Sequence, residues 1–365
     1  MTRFDNPALA ETIASISVPD PRHYAQARSR LDSLTKPLGS LGRLESIAAQ
    51  VVAIRSGSVD LPLKKAVYVF AADHGIVSEG VSAYPKEVTL QMVMNFLSEG
   101  AAINVLARLH HAELTVIDVG VDATFDDLPG LMNRKVCRGS QNMLHEKAMT
   151  DSQLMTAIDV GLELARSAHG KQLTLIAVGE MGIGNTTAAS AITALLTTQP
   201  VEAVTGRGTG LNDASTKRKI SVIEAVLQKH FDQKHYGDSC GKPNSLDILQ
   251  CVGGLEIAAM TGMFLGSARH RIPVIADGFI STAAAALAYA IEPKVKEYIL
   301  AGHCSEEPGH RFLLQYLGLN PILSLEMRLG EGTGAVLAMP IIESALRLYA
   351  EMTTFASAGV SEAKA

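Results

Sequence analysis

Five short, largely apolar runs alternate with stretches of helical periodicity between residues 66 and 301 of this 365-residue chain. Continuous apolar runs are typical of strands that are buried on both faces of a sheet. Strands that alternate with helices predict an α/β fold, with a mostly parallel, Rossmann-like sheet covered by helices. The runs are Ala66–Ala72, Leu114–Gly120, Leu173–Val178, Ile272–Ala276 and Glu297–Ala301.

Apolar residues at helical spacing occupy the intervals between these runs and both ends of the chain. The predicted helices cover residues 44–54, 87–109, 151–169 (capped by Asp151), 186–196, 213–231, 246–265, 281–290 and 335–352. Pro340 predicts a kink or a new helix start within the last of them. We predict a large α/β domain at residues 61–334 and a small helical domain formed by residues 1–60 with residues 335–365.

Polar residues follow several of the predicted strands directly. The carboxyl ends of parallel strands meet at one edge of the sheet, where ligands bind in folds of this class. We therefore expect one site at that edge. The residues at the strand ends are Asp73-His74, Asp118, Gly179-Glu180, Asp277 and Gly302-His303.

Three short glycine loops lie between the third predicted strand and the last predicted helix. Their sequences are GIGNT at Gly182–Thr186, GRGTG at Gly206–Gly210 and GEGTG at Gly330–Gly334. Glycines allow positive φ and the close approach of a ligand to backbone N–H groups. Only the third loop has a carboxylate, Glu331, so the pattern predicts two phosphate-binding loops and one loop for proton removal.

The first two loops each have an alternative interpretation. The N-terminus of a helix binds anions, but a tightly capped strand-to-helix turn has the same spacing. The residues of these loops do not have the spacing of a dinucleotide-binding fingerprint or of a P-loop. Lys219, about two turns into the helix after the second loop, could reach a phosphate, although spacing alone favours a solvated lysine.

Glu331 also has two interpretations. A carboxylate in the first turn of a helix interacts favourably with the helix dipole, and glutamates are mostly exposed, so spacing alone favours an exposed side chain. The flanking glycines favour contact with a ligand instead. Burial would then raise the pKa of the carboxyl and make it a better base.

Charge and composition exclude several classes of protein. The net charge of −5 argues against nucleic-acid binding. The four cysteines have no CxxC spacing, which fits reduced thiols in a cytosol. No signal peptide or membrane span is evident, since the longest apolar stretch is interrupted by Asp277-Gly278. The clusters Asp73-His74 and His303 to His310 match no common zinc spacing, so neither metal nor cofactor is expected, and their role stays open.

Seven motifs, in order along nearly the whole chain, closely resemble one family, the nicotinate-nucleotide–dimethylbenzimidazole phosphoribosyltransferases of cobalamin biosynthesis. A single glycine loop is not specific, but so many long matches are. The motifs are TKPLGSLGRLE from Thr35, ADHGIVSEGVSAYPKEVT from Ala72, GEMGIGNTT from Gly179, GRGTG from Gly206, ADGFISTAAAAL from Ala276, EEPGH from Glu306 and MRLGEGTGA from Met327.

The resemblance implies a cytoplasmic homodimer that transfers phosphoribose from nicotinate mononucleotide to 5,6-dimethylbenzimidazole. The products would be α-ribazole 5′-phosphate and nicotinate, with inversion at the sugar. It implies Glu331 as the general base, and Ser82, Tyr84 and Gln91 around the aromatic base. The residues implied at the nucleotide and its phosphate are Glu180, Gly182, Ile183, Gly184, Asn185, Thr186, Gly208, Thr209, Gly210 and, less directly aligned, Lys219.

This chemistry needs a single proton acceptor. The pyridinium nitrogen of the donor is already positive, so nicotinate leaves without an acid, and no diphosphate leaves that would require magnesium. Two alternatives stay open from the residues. One is the same transfer to another acceptor, such as adenine, another benzimidazole or a phenol. The other is a nucleotide-binding regulator without catalysis, for which Glu331 would be dispensable.

Overall fold

The computed structural model describes residues 6–125, 128–208, 210–231 and 243–361. Thr209, one of the predicted nucleotide-binding residues, lies outside the described residues. The strands of the described chain form one sheet of seven strands in the order β3-β2-β1-β4-β5-β6-β7, with every pair parallel. Their bounds are β1 Lys65–Ala72, β2 Ala112–Gly120, β3 Leu131–Asn133, β4 Leu175–Met181, β5 Val274–Ala276, β6 Ile299–His303 and β7 Pro321–Leu323.

The predicted fold class is confirmed by this sheet. The strand order reverses between β1 and β4, which are neighbours although β2 and β3 lie between them in sequence. In doubly wound sheets, the crevice outside the carboxyl ends of the strands at such a switch point is the usual ligand site. The GEMGIGNTT segment leaves β4 at this switch point.

Helices cover both faces of the sheet. Ordered along the chain, they are α1 Pro7–Ser15, α2 Pro21–Ser33, α3 Arg43–Ile54, α4 Glu87–Leu97, α5 Ala102–Leu109, α6 Asp151–Gly170, α7 Asn185–Thr197, α8 Val201–Val204, α9 Asp213–Phe231, α10 Ser245–Val252, α11 Leu255–Arg269, α12 Phe279–Ile291, α13 Pro308–Leu317, α14 Thr333–Glu351 and α15 Phe355–Ala358. Two 3₁₀ segments lie at Gly75–Glu79 and Pro293–Tyr298.

The alternation of side chains along the strands builds two cores. On β1, Tyr68 and Phe70 contribute to the core under α6, α7, α11 and α12, whereas Val67 and Val69 contribute to the core under α3, α5 and α14. Successive residues of a strand face opposite sides of its sheet, so one continuous apolar run supplies both cores. This is the physical reason why the runs in the sequence lack polar alternation.

The two ends of the chain meet in the layer of α2, α3, α14 and α15. The Arg30 side chain donates to the carbonyls of Tyr349 and Ala350, and the Thr35 N–H donates to the Thr353 carbonyl at 3.0 Å. Helix α14 also packs against β4 and β6. Helix α1 lies on the opposite face, against α6 and α11, where the Asn6 amide donates to Asp159.

Two predicted helices are each divided in the structure. The predicted helix 87–109 ends at Leu97 and restarts at Ala102, because the Asn104 side chain binds the Phe96 carbonyl and the Ala101 N–H across the turn. The predicted helix 246–265 breaks at Gly253-Gly254. A Cβ at Gly254 would collide with the His74 ring and the Glu256 carboxylate.

The remaining differences are smaller. The run 173–178 begins its strand at Leu175 and continues to Met181, so Glu180 belongs to β4 itself. The helix 151–169 is capped by Thr150 with Gln153 rather than by Asp151. Helix α14 continues through Pro340, so no new helix starts there. Strands β3 and β7, of three residues each, were not predicted because such short segments carry no periodicity.

Candidate active site

A cavity of about 90 Å³ opens at the carboxyl edge of the sheet, next to the switch point. The loops after β4, β5 and β6 line it together with the ends of the GRGTG and GEGTG segments. Its lining includes Glu180, Gly182, Ile183, Asn185, Thr186, Gly208, Gly278, His303, Glu307, Arg328 and Gly330. The structure thus brings most of the residues predicted for the nucleotide into one place.

Three larger cavities lie elsewhere in the described residues. One of about 490 Å³ lies between α3 and the β6–β7 edge, one of about 720 Å³ lies beside α10 and the end of α12, and one of about 340 Å³ lies between α1, α6 and α11. None of the three is lined by a predicted site residue. Volume alone therefore does not locate the site, whereas the convergence of buried polar groups does.

The loop between β4 and α7 presents an uncapped helix N-terminus to the cavity. Gly184 is the N-cap of α7 with φ of 96° and provides no side-chain cap. The Asn185 and Thr187 N–H groups donate to the Gly182 and Gly184 carbonyls, so the helix N-terminus offers an anion its dipole and the remaining N–H groups of the first turn. By contrast, the Asn212 side chain caps α9 by accepting from the Ser215 N–H at 2.9 Å. The uncapped first loop fits the prediction of a phosphate-binding loop. The helix after the second loop fits the alternative, a helix whose N-terminus is closed by a capping side chain.

A buried pair of side chains, His74 and Glu256, lies next to the loop between β4 and α7. The His74 Nε2 lies 2.6 Å from Glu256 Oε1, and both side chains are almost fully buried. Burial alone lowers the pKa of His74, but the Glu256 carboxylate outweighs it, so the pKa is raised overall. The His74 side chain lies beside Gly182 and Gly184: a Cβ at Gly182 would lie 3.4 Å from the ring, and a Cβ at Gly184 would lie 3.3 Å from the His74 Cβ. His74 is therefore placed to shape the loop.

Glu180 faces the cavity from the end of β4. Its carboxyl accepts from the Asn185 amide, and its other oxygen lies against Gly330, where no Cβ would fit. Burial, together with the neighbouring Glu256 and Asp277 carboxyls, raises the pKa of Glu180 to about 8. At neutral pH this group is mostly an uncharged acid.

Lys219 is completely buried, which shows that the interpretation as a solvated lysine is wrong. Its ammonium donates to Thr186 Oγ1 at 2.8 Å and lies beside Gly208. Burial lowers the pKa of Lys219 to about 8, while the Glu307 carboxylate opposes that shift. The ammonium still holds its proton at neutral pH, at the point where the first two loops meet.

The GEGTG loop holds Glu331 in a fixed and shielded position. Glu331 has φ of 62° between Gly330 and Gly332, and its side chain is only 5% exposed. Asp277 fixes the loop by accepting from the Gly332 N–H at 3.1 Å and from the Ala335 N–H at 2.8 Å. The interpretation as an exposed first-turn carboxylate is therefore wrong.

The Glu331 carboxyl has the chemistry of a base. Burial raises its pKa to about 7, although the Ile103 N–H at the start of α5 donates to it and lowers the value. Its Oε2 is buried without a hydrogen-bond partner among the described residues. An unpaired carboxylate oxygen with a pKa near neutrality is suited to accept a proton.

Ser82, Tyr84 and Gln91 do not line the cavity. Ser82 and Tyr84 precede α4, where Ser82 Oγ accepts from the Tyr84 N–H at 3.2 Å, and Gln91 lies in α4. Tyr84 is 50% exposed and Gln91 is also exposed. They belong to the α4–α5 side of the molecule, the side on which Ile103 contacts Glu331.

Sequence reasoning missed Thr89, Glu256, Glu307 and Arg328. Glu256 lies within a helix, where its side chain looks like an ordinary helix position. Thr89, Glu307 and Arg328 lie inside the motifs that carry the resemblance, but the sequence alone assigns them no role. The sequence left the roles of His303 and His310 open. In the structure, His303 lines the cavity, and the His310 ring nitrogens bond the Thr282 hydroxyl and the Ser305 N–H. No group of described side chains is arranged to hold a metal ion.

The fold and the site define a class of protein. An uncapped helix N-terminus and a buried lysine are suited to bind an anionic group, and a buried carboxyl with a pKa of about 7, suited to act as a base, lies on the GEGTG loop. That combination is what a group-transfer enzyme acting on a phosphorylated substrate needs.

The comparisons identify the family within that class. A family model described as phosphoribosyltransferase matches residues 16–360. The chain is similar to two curated proteins that are named nicotinate-nucleotide–dimethylbenzimidazole phosphoribosyltransferase. The protein from Geobacter metallireducens is 52% identical over 98% of this chain and 99% of that protein. The protein from Geotalea uraniireducens is 50% identical over 97% of this chain and 98% of that protein. The chain belongs to this phosphoribosyltransferase family.

Two solved structures are consistent with membership of the same family. A crystal structure of the nicotinate-nucleotide–dimethylbenzimidazole phosphoribosyltransferase from Thermus thermophilus matches with a TM-score of 0.86 at 44% identity, covering 94% of this chain and 100% of that one. A second crystal structure, of CobT from the same organism, matches with a TM-score of 0.87 at 45% identity. None of the described helices is both long and apolar enough for a membrane span.

Proposed function

We propose that this chain transfers phosphoribose from nicotinate mononucleotide to 5,6-dimethylbenzimidazole, with Glu331 as the general base. The observation that carries the mechanism is the Glu331 carboxyl itself. It is buried, fixed by the Asp277 bonds to its loop and unpaired at Oε2, and its pKa is raised by burial to about 7. Membership of the family supports the two substrates.

The donor nucleotide would occupy the cavity. Its phosphate would meet the N–H groups at the start of α7, the loop residues Gly182 to Thr186 and Gly208 to Gly210, and the Lys219 ammonium. Glu180, largely uncharged at neutral pH, would not repel the phosphate. Because the described groups among these are already in place, they would need little reorganisation to bind the phosphate, and positioning of this kind lowers the barrier of the transfer step.

The acceptor would approach from the α4–α5 side, with Ser82, Tyr84 and Gln91 around its ring. Its N–H would donate to Glu331, which removes that proton as the other ring nitrogen attacks the anomeric carbon. The pyridinium leaves from the opposite face as neutral nicotinate nitrogen, so the β-linkage is inverted to an α-linkage. General-base catalysis of this kind contributes about 10²–10⁴-fold.

We also propose that the chain has a large domain and a small helical domain, that it forms a homodimer and that it is cytoplasmic. These proposals rest on the family and on the packing of α2, α3, α14 and α15 at the two chain ends.

Glu331→Gln tests the mechanism. The amide keeps the shape of the side chain but cannot take a proton, so we expect kcat for nicotinate release with dimethylbenzimidazole to fall by about 10²-fold or more. Glu326→Gln, at an exposed position just before the same loop, is the matched control and should be unaffected. Turnover near that of the wild type in Glu331→Gln would remove the base assignment.

The pH dependence follows from the pKa of Glu331. The active form is the carboxylate, so kcat/KM should fall about tenfold per pH unit below a pKa of about 7. It should fall again above about pH 8, where Lys219 loses its proton and Glu180 becomes charged. Profiles of the wild type and of Glu331→Gln, measured with dimethylbenzimidazole, check this. The variant should lose the inflection near pH 7.

The same assay separates the alternatives. A panel of acceptors at equal concentration, including adenine, other benzimidazoles and a phenol, shows which one supports nicotinate release. A regulator without catalysis would bind nicotinate mononucleotide but release no nicotinate with any acceptor.

A further inference from the structure

Two buried polar atoms that line the nucleotide cavity have no role in the mechanism above. Glu307 and His303 both line the cavity and are 6% and 1% exposed. Glu307 Oε2 and His303 Nδ1 have no hydrogen-bond partner among the described residues. Buried polar atoms in native proteins are nearly always paired, so two unpaired atoms at one cavity indicate contacts that a ligand completes.

The Glu307 carboxyl is fixed in place. The Gly208 N–H and the charges of Lys219 and Arg328 favour the ionised form of this carboxyl against the effect of burial, which raises its pKa. Its Oε2 lies so close to Gly206 that no Cβ would fit there. The carboxyl is therefore held against the GRGTG loop, and Oε2 has no hydrogen-bond partner among the described residues.

The His303 ring is fixed in the same way. It is the last residue of β6 and lies against Gly278 and Gly334, at both of which an added Cβ would crowd the ring. The neighbouring His310 cannot serve instead, because its two ring nitrogens already bond the Ser305 N–H and the Thr282 hydroxyl.

The chemistry of the donor nucleotide shows which of its groups fits. A phosphate dianion and a nicotinate carboxylate offer only acceptors and would repel Glu307. The pyridinium ring has no N–H, and the acceptor's N–H is assigned to Glu331. The ribose hydroxyls are the remaining donors, and a hydroxyl can also accept from or donate to an imidazole nitrogen.

We propose that Glu307 accepts a hydrogen bond from a ribose hydroxyl of the donor nucleotide, with His303 as the second contact, and that this pair makes the enzyme select ribose over deoxyribose. The inference rests on the proposed function, because it takes nicotinate mononucleotide as the occupant of the cavity.

The test compares nicotinate mononucleotide with its 2′-deoxy and 3′-deoxy analogues. Equilibrium affinity is measured by calorimetry without an acceptor, since loss of the 2′-hydroxyl also changes the intrinsic reactivity of the sugar. The wild type should prefer the ribonucleotide over at least one analogue by about 10- to 100-fold, the range for a hydrogen bond to a charged group.

Three variants decide the assignment. In Glu307→Gln, the single amide oxygen is needed by the Gly208 N–H, so no charged acceptor remains for the ribose hydroxyl. The preference for the ribonucleotide should then fall at least fivefold. Glu307→Met, which has no acceptor, should abolish the preference. Glu306→Gln, at the exposed neighbouring position, should keep it in full. Affinity for inorganic phosphate should change less than threefold in Glu307→Gln.

Three results would overturn the proposal. They are equal binding of all three nucleotides by the wild type, an undiminished preference in Glu307→Gln, or a loss of phosphate affinity as large as the loss of nucleotide affinity. The last would assign Glu307 to the phosphate or to the loop. Failure of the wild type to release nicotinate would instead contradict the proposed function, and the binding comparison would still stand on its own.

Discussion

The proposed donor side of the site, formed by residues 180–186 with Gly208, Lys219 and Glu307, differs sharply from the proposed acceptor side at Ser82, Tyr84 and Gln91. On the donor side Lys219 is fully buried and bonded to Thr186. On the acceptor side Tyr84 is half exposed, and its recorded backbone bond is to Ser82, two residues away. The proposed donor side is thus preformed by packing between distant segments, whereas the proposed acceptor residues Ser82, Tyr84 and Gln91 are partly or largely exposed.

Glu331 lies between the two sides. Gly179, at the centre of β4, has no room for a Cβ because the Glu331 and Gly332 backbone lies against it. From there the Glu331 carboxyl reaches the Ile103 N–H on α5. A rigid donor side can hold the anomeric carbon still, and a more open acceptor side can admit different aromatic rings. The comparison therefore predicts that substitutions on the donor side have the larger effects.

The largest effect is expected for Lys219→Met. It removes the buried cation that would pair with the phosphate, and loss of one partner of such a pair costs about 2–5 kcal/mol. We expect kcat/KM for nicotinate mononucleotide to fall by about 10²–10³-fold, measured by nicotinate release. Lys217→Met, at an exposed position on the same helix, is the control. Equal losses in both variants would break the distinction between the two sides.

An intermediate effect is expected for Thr89→Val, which tests the link between the sides. Thr89 is fully buried in α4, and its hydroxyl accepts from the Ile183 N–H at 3.1 Å. The hydroxyl also lies beside the Asp73 carboxyl and lowers its pKa, although burial raises that pKa overall. Valine keeps the shape but leaves the Ile183 N–H unpaired, at a cost of about 1–3 kcal/mol.

We expect the Thr89→Val variant to bind nicotinate mononucleotide about tenfold more weakly, measured by calorimetry, because the β4–α7 loop loses its anchor. Thr89→Ser keeps the hydroxyl and should remain close to the wild type. If Ser and Val weaken binding equally, the methyl packing and not the hydrogen bond holds the loop.

The smallest effect is expected for Tyr84→Phe. Its ring is exposed, and substitutions at exposed positions change stability by about 0.5 kcal/mol or less. Affinity for the donor nucleotide should be unchanged, and any change should appear in KM for dimethylbenzimidazole. A tenfold loss of donor affinity in this variant would show that the two sides are not separate.

The sequence predicted the sheet well, because its strands are buried on both faces and appear as uninterrupted apolar runs. It also predicted that the polar residues at the strand ends converge, since parallel strands place their carboxyl ends together. The positions of the helix breaks were harder to predict. Gly253-Gly254 separates two helices because the His74 ring lies against Gly254, and that contact joins residues 180 positions apart.

The environment of individual side chains could not be predicted. Spacing favoured a solvated Lys219 and an exposed Glu331, and both are buried, because segments distant in sequence cover them in the folded chain. Lys219 lies against Thr186 and near Glu307, and Glu331 lies against Gly179 and Ile103. The pairing of His74 with Glu256 and the contact of Glu307 with Gly208 are likewise tertiary. The identities of the reacting residues came from motifs, whereas their pKa values depend on packing.

A crystal structure with both substrates, or with nicotinate and α-ribazole 5′-phosphate, tests the central claim most directly. The distance to measure joins a Glu331 carboxylate oxygen to the benzimidazole nitrogen that bears, or has lost, the proton. A hydrogen-bond distance of about 2.6–3.2 Å, with the phosphate at Lys219, is the expected result. A complex in which Glu331 points away from the azole and another side chain, or only water, contacts that nitrogen would contradict the mechanism.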